Sequence, residues 1–180
     1  GATVVNLAGG TDAISLQSSS AGGTRSFSSV AVTNSGGVGL LLFNAGNTNI
    51  GSGSIATSNR AAIDASGTNA LTVTLASVSS TNSTGKGINI DAATGTLSIA
   101  GGAISGSAAE AFDLNAGSAV ISYAGTVAKN SAGRLVDITG RSAGNVTLSG
   151  NLSCASPCTG INVAGNSGGT IAFSAATKTL

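Results

Sequence analysis

Residues 85–106 read GKGINIDAATGTLSIAGGAISG, and this stretch decides the fold. One polar residue separates Ile88 from Ile90, and another separates Leu97 from Ile99 a little further along the chain. Alternation with a period of two predicts short β-strands whose apolar side chains face one side. A third, shorter apolar segment follows. The glycines between the segments predict sharp corners, because glycine adopts the positive φ angles that such corners need.

The first apolar pair recurs along the whole chain. We place its second residue at Leu16, Phe43, Ile63, Ile90, Leu114, Ile138 and Val163, at intervals of 27, 20, 27, 24, 24 and 25 residues. This assignment predicts that Leu41 and Phe43 face the interior in one repeat and that Ala61 and Ile63 face the interior in the next. A fixed period in the twenties is typical of a solenoid.

Two further strands complete each repeat. The second contains Val73/Leu75, Leu97/Ile99, Ile121/Tyr123, Val146/Leu148 and Ile171/Phe173, with Phe27 and Ile50 as equivalents in the earlier repeats. The third contributes one apolar residue at Val32, Ile55, Val78, Ile104, Val127 and Leu152.

Three strands in about 24 residues predict an all-β fold, a parallel β-helix (β-solenoid) of about seven coils. We expect one solenoid domain over residues 1–180, wound right-handed because parallel crossovers have that bias. A two-sheet β-sandwich is the alternative, since its strands alternate similarly. It gives no reason for one motif to recur at nearly equal spacing.

The segments at residues 85–106 and 143–165 resemble the repeats of bacterial right-handed parallel β-helix proteins. These are large secreted or surface proteins, including autotransporter passenger regions and filamentous-haemagglutinin-like adhesins. The resemblance implies an extracellular or cell-surface location and a longer parent protein of which this chain is a segment. An exposed solenoid end or flat face would favour end-to-end or face-to-face self-association.

Composition excludes several classes of partner. The net charge is +1 and charged residues make up 7% of the chain, against about 25% in ordinary proteins, so we expect no nucleic-acid partner. No apolar run is long enough to insert into a membrane. The chain has no His and two Cys, so we expect no metal and no cofactor.

Two carboxylates are the candidate catalytic pair. Asp113 and Asp137 should be neighbours on adjacent coils, and carboxylates about 5 Å apart are the arrangement of retaining glycosidases. They are also potential Ca²⁺ ligands. The chain has one Tyr, four Phe and no Trp for stacking sugars, and no inserted loop for a cleft, so we expect a solvated ladder and no enzyme activity.

The second strand carries the candidate binding face. Its outward residues form two columns without charge: Thr74, Ser98, Ser122 and Thr147, beside Ala76, Ala100, Ala124 and Ser149. The face resembles the threonine ladders of β-solenoid antifreeze proteins, which implies ice binding as one alternative. Packing against another surface is a second, and small residues as ordinary strand exteriors are the third.

Cys154 and Cys158 are the only cysteines. A metal site needs about four ligands, and redox pairs usually have CxxC spacing. We expect a small structural disulfide that pins one corner, in an oxidising extracytoplasmic setting.

The sequence thus predicts a structural or adhesive rod that displays weakly polar faces to an unidentified surface, glycan or protein partner. An ice-binding module is the first alternative, and a polysaccharide-active enzyme fragment is the weaker one.

Overall fold

The computed structural model describes residues 2–18, 23–67 and 69–180. These residues form 22 β-strands in three parallel sheets and contain no helix. The chain visits the three sheets in turn and starts again, so each turn of the chain is one coil. The predicted parallel β-solenoid of about seven coils is confirmed.

The strands of each sheet come from successive coils. The first sheet contains β2 (Ile14–Gln17), β5 (Leu40–Phe43), β8 (Ile63–Ser66), β11 (Ile88–Asp91), β14 (Phe112–Asn115), β17 (Val136–Thr139) and β20 (Ile161–Ala164). The second contains β3 (Thr24–Phe27), β6 (Gly46–Ile50), β9 (Asn69–Leu75), β12 (Thr94–Ile99), β15 (Val120–Tyr123), β18 (Val146–Leu148) and β21 (Ile171–Phe173). The third contains β1 (Ala2–Ala8), β4 (Ser29–Ser35), β7 (Gly53–Ser58), β10 (Ser77–Thr81), β13 (Ala103–Ser105), β16 (Thr126–Lys129), β19 (Leu152–Cys154) and β22 (Lys178–Thr179).

The register of the first sheet corrects two early repeats. Leu40 and Leu42 are the buried pair in β5, whereas Leu41 is half-buried and Phe43 is 44% exposed, so the predicted Leu41/Phe43 pair is wrong by one residue. Ile63 pairs with Leu40 and with Ile88, which makes it the first residue of its pair. The Ala61/Ile63 assignment is therefore wrong by two residues.

With these corrections the repeat is more regular than the sequence indicated. The equivalent positions are Ile14, Leu40, Ile63, Ile88, Phe112, Val136 and Ile161, at intervals of 26, 23, 25, 24, 24 and 25 residues. The backbone repeats with it. The residue that follows each strand of this sheet has a positive φ angle: Ser18, Asn44, Gly67, Ala92, Ala116, Gly140 and Gly165.

The second sheet follows the predicted register. Phe27 pairs with Ile50 and Ile50 with Val73, as expected. In the third sheet, Val32 pairs with Ile55 and Ile55 with Val78. Ile104 then pairs with Ser80 instead of Val78, so one apolar column ends at Val78 and another begins at Ile104.

Aliphatic side chains fill the space between the three sheets, because like residues stack on like from coil to coil. One aromatic pair interrupts these columns, with the ring centroids of Phe112 and Tyr123 5.3 Å apart. The Tyr123 hydroxyl is buried and donates a hydrogen bond to the carbonyl oxygen of Val78, at 3.1 Å. This bond satisfies the polar end of a side chain that is otherwise packed among hydrocarbon.

No segment within the described ranges forms a helix long and apolar enough to cross a bilayer.

Candidate functional site

The second-sheet face comprises the outward residues of β9, β12, β15 and β18 and of the corner that follows each strand. Thr74 pairs with Ser98, Ser98 with Ser122, and Ser122 with Thr147. These four side chains therefore lie in one column, with a spacing of about 4.8 Å between coils.

Alanines and a serine form the second column of this face. The main-chain nitrogen atoms of Ala100, Ala124 and Ser149 donate to the carbonyl oxygens of Leu75, Ile99 and Tyr123, which are the last residues of strands in the preceding coils. Ala76, Ala100, Ala124 and Ser149 are all exposed.

A third column belongs to the same face, and the sequence analysis did not predict it. Thr72 pairs with Thr96, and Thr96 with Val120, and all three are exposed. The signal was present, because the alternation of β9 and β12 extends one step before Thr74 and Ser98. The described outward positions of this sheet carry no charged side chain, from Thr24 in β3 to Ala172 in β21.

The outward surface of the first sheet carries charged and amide side chains, unlike the uncharged second-sheet face. The structure brings Asp113 and Asp137 to directly paired positions on β14 and β17. Asp113 is only 6% exposed and forms an ion pair with Lys86. Asp137 accepts a hydrogen bond from the side-chain amide of Asn162, at 2.8 Å.

Amide groups pair with carboxylates elsewhere on this sheet. Asn89 donates to Asp64 at 2.8 Å, and Asn115 donates to Asp91 at 3.0 Å. Lys86 also donates to the side-chain oxygen of Asn89, at 3.0 Å. The carboxylates are thus bonded into a ladder that runs from coil to coil.

The protonation of the ion pair reflects its partial burial. Burial raises the pKa of the Asp113 carboxyl, and the nearby Glu110 and Asp137 carboxylates add to this rise against the lowering effect of Lys86. The pKa of the Lys86 ammonium is also raised. Burial lowers this pKa, but the hydrogen bond to Asp113 and the charges of Asp113, Glu110 and Asp64 together outweigh burial. Charge repulsion and burial are the physical causes that shift such groups.

A depression of about 310 Å³ lies over this ladder. It is bordered by Lys86, Glu110, Asp113 and Asp137. Among the described residues, no three His, Cys, Asp or Glu side chains lie close enough together to hold a metal ion. The two candidate catalytic carboxylates are engaged by an ammonium and an amide group. None of the described residues that border the depression is aromatic.

Buried cations line the corners, and sequence reasoning missed them. Lys129 is 2% exposed and donates to the carbonyl oxygens of Ser107 and Ala109. Arg141 is also buried and donates to the carbonyl oxygens of Ala116 and Ala119. Burial lowers the pKa of both side chains.

These cations donate to main-chain oxygens of a corner in the preceding coil. A buried main-chain oxygen without a hydrogen bond is costly, so these bonds stabilise the corners. For Lys129 a signal existed, because the alternation that buries Val127 also places Lys129 inside.

The structure joins Cys154 and Cys158 in a disulfide, with their Cα atoms 5.4 Å apart. The bond closes the corner that follows β19, and both cysteines pack against the edge of the apolar core.

Comparison with protein-family models, with curated proteins and with solved structures finds no match to this chain.

Proposed function

We propose that this chain is a non-enzymatic structural or adhesive segment of a bacterial secreted or cell-surface protein. The second-sheet face is the observation that carries the proposal. Its three columns of small, uncharged side chains extend over successive coils at one spacing, which gives a repetitive surface. A rigid rod that holds such a face outward is suited to contact with an extended partner.

The use of charge elsewhere supports this assignment. Lys129 and Arg141 are turned inward to corner carbonyl groups, and Asp64, Asp91 and Asp137 accept hydrogen bonds from side-chain amides. Charge is thus used to hold coils together. Recognition at the second-sheet face would depend on shape and on hydroxyl groups, with little long-range electrostatic attraction.

The disulfide supports a location outside the cytoplasm. Disulfides persist in oxidising compartments and are rare where thiol reductants are abundant.

The bias of parallel crossovers favours right-handed winding of the coils.

Catalysis is disfavoured by the environment of the two carboxylates. A retaining glycosidase needs one carboxylate free to attack and one acid able to donate its proton to the leaving group. Asp113 is held by Lys86 and Asp137 by Asn162. We therefore propose a binding role and no hydrolytic role for this chain.

The proposal is tested by binding of the purified chain to bacterial and host cell surfaces and to immobilised glycans. Ser98→Glu with Ser122→Glu places two carboxylates on adjacent coils of the second-sheet face. Ser105→Glu with Ala128→Glu does the same on the third sheet and is the matched control. We expect the first variant to lose at least about tenfold in affinity and the control to bind as the unmodified chain does. Equal losses in both variants, or no binding to any surface, would contradict the proposal.

Ice binding is the second candidate function, and the Thr72 column favours it. With that column included, β9 presents Thr72 beside Thr74 and β12 presents Thr96 beside Ser98. Two parallel rows of hydroxyl and methyl groups with a regular repeat resemble the threonine ladders of antifreeze solenoids.

Thermal hysteresis and ice-crystal shaping test this candidate directly. Ser98→Tyr with Ser122→Tyr places bulky rings in the middle of the face, and Ser105→Tyr with Ala128→Tyr is the control on the third sheet. Activity that only the first variant loses would favour ice binding over adhesion. Absence of activity in the unmodified chain would remove this candidate.

A further inference from the structure

The corner closed by the disulfide lies directly on the corner of the preceding coil. The main-chain nitrogen of Ala155 donates to the Lys129 oxygen at 2.8 Å, and that of Thr159 donates to the Gly133 oxygen at 3.0 Å. In return, the nitrogen of Leu135 donates to the Gly160 oxygen at 2.8 Å. Residues 155–160 therefore cover residues 129–135.

The covered corner contains two basic residues. Lys129 is buried, and its ammonium group bonds to the carbonyl oxygens of Ser107 and Ala109 in the corner of the coil before. Arg134 is half-buried. The peptide bonds that follow these two residues are held in an ordered corner, and a protease needs a locally unfolded segment to bind and cut.

The disulfide determines the shape of the covering corner. It links residues at the two ends of a short exposed loop, Ala155–Pro157. The Cys154 sulfur also accepts a hydrogen bond from the main-chain nitrogen of Gly160, at 3.0 Å. Cys158 forms a parallel bridge to Gly133 in the covered corner. One covalent bond thus holds the loop in the conformation that covers residues 129–135.

We propose that the Cys154–Cys158 disulfide is a redox-controlled latch that protects the peptide bonds after Lys129 and Arg134 from cleavage. Both cysteines are only partly buried, so a thiol reductant can reach them. In the exchange with a dithiol, a thiolate attacks one sulfur of the disulfide and forms a mixed disulfide, and the second thiol of the reductant then displaces it. The protein sulfur–sulfur bond breaks, the two cysteine sulfurs gain two electrons and two protons in all, and the dithiol becomes a disulfide.

Reduction releases the loop without removing the strands beneath it. The loop then gains conformational freedom, the hydrogen bonds to Lys129 and Gly133 open more often, and the covered corner becomes accessible. The latch acts independently of whatever the second-sheet face binds.

Limited digestion with trypsin, which cuts after Lys and Arg, tests the latch when the fragments are identified by mass spectrometry. We expect cleavage after Lys129 or Arg134 to be at least about tenfold faster in dithiothreitol than in its absence, because proteolysis follows the population of the open form. Arg141 is an internal control. It is buried in a different corner and bonded to Ala116 and Ala119, so we expect cleavage after it to be unchanged by the reductant.

A Cys154→Ser, Cys158→Ser variant separates the disulfide from other effects of the reductant. We expect it to be cut after Lys129 or Arg134 at the fast rate with or without dithiothreitol. Equal rates for the oxidised and reduced unmodified chain would overturn the latch. Acceleration after Arg141 by the same factor would also overturn it, because that result means general unfolding.

Discussion

On the first sheet, carboxylates and amides of neighbouring coils bond to one another, as Asn89 does to Asp64 and Asn162 to Asp137. On the second sheet, the outward positions of β9, β12, β15 and β18 carry hydroxyl and methyl groups without charge. Most inward positions of both sheets are aliphatic. One repeat geometry therefore supports two unlike surfaces, because alternate residues of a strand face opposite sides and vary independently.

Substitution of a glycine in the second sheet should give the largest loss in the free energy of unfolding. Gly95 has φ +83°, and a Cβ atom there would overlap the main-chain oxygen of Leu71 in the preceding coil. A Cβ at Gly140, after the first sheet, would find its nearest neighbour at 3.6 Å. We expect Gly95→Ala to lower the free energy of unfolding by about 4 kcal/mol or more.

Gly140→Ala is the matched control for that change. Its φ is +64°, so it should lose only about 1–2 kcal/mol, the cost of a left-handed conformation. Chemical denaturation of both variants measures the difference. Equal losses would show that close approach between coils does not distinguish the two sites.

Truncation of the interior should affect both sheets equally. Leu97 on the second sheet and Leu114 on the first are completely buried. We expect Leu97→Ala and Leu114→Ala each to lower the free energy of unfolding by about 3 kcal/mol, through lost transfer energy and the cavity left behind. Denaturation curves for the two variants should agree within about 1 kcal/mol. A larger difference would mean that one interior face is packed less well than the other.

The alternation predicted the coil, the number of coils and the second-sheet register, because those features depend on which residues face inward. The prediction of the inward residues of the first strand failed in the two repeats where apolar and polar residues do not alternate clearly. Leu40 to Phe43 are four consecutive apolar residues, so either alternation fits them. Ile63 has an alanine two residues away on each side, Ala61 and Ala65, so it can be the first or the second residue of its pair.

The side chains of the corners were harder to predict. Arg141 bonds to carbonyl oxygens of Ala116 and Ala119, and those oxygens belong to the coil before. Sequence does not reveal that a guanidinium group turns inward at a corner, since the partner is main chain and leaves no pattern. The pairing of Asp113 with Asp137 was readable from the repeat, but its neutralisation by Lys86 depends on a diagonal contact between coils.

Removal of the Asp113 charge tests how the charged ladder of the first sheet contributes to the free energy of unfolding. The folded carboxyl holds its proton more tightly than the unfolded one, whose pKa is near 3.8. This group therefore stabilises the fold below that pH, and the stabilisation is lost as the pH rises through the raised pKa. Asp113→Asn cannot titrate, so we expect it to be equal to or up to about 1 kcal/mol more stable than the unmodified chain at pH 7.

The expected advantage of Asp113→Asn disappears or reverses near pH 3, where the aspartic acid is protonated. Denaturation at both pH values measures this. Strong destabilisation of the variant at pH 7 alone would show that the bond to Lys86 outweighs the burial of the carboxylate.

The smallest expected effect lies at the corner that follows the first sheet. Ala116 has φ +53°, a conformation that costs an L-residue about 1–2 kcal/mol. Glycine removes this cost but gains entropy in the unfolded chain. We expect Ala116→Gly to raise the free energy of unfolding by about 0.5 kcal/mol. Ala92→Gly, at the equivalent position one coil earlier, should behave alike, and a loss of stability in both would contradict the strain argument.

The in-register pairing of coils has a consequence for how such a gene can change. Ile88 and Phe112 occupy the same place on neighbouring coils, so deletion of residues 88–111 would join Gly87 to Phe112 at an equivalent junction. The second-sheet face would continue across that junction, because Ser122 would take the place of Ser98 beside Thr74. On the first sheet, Asp113 would take the place of Asn89 beside Asp64. The rod would be shorter by one strand spacing of about 4.8 Å. Loss or gain of one repeat therefore changes the length of the protein in single steps and keeps the uncharged face, whereas the charged ladder has to find new partners at the junction.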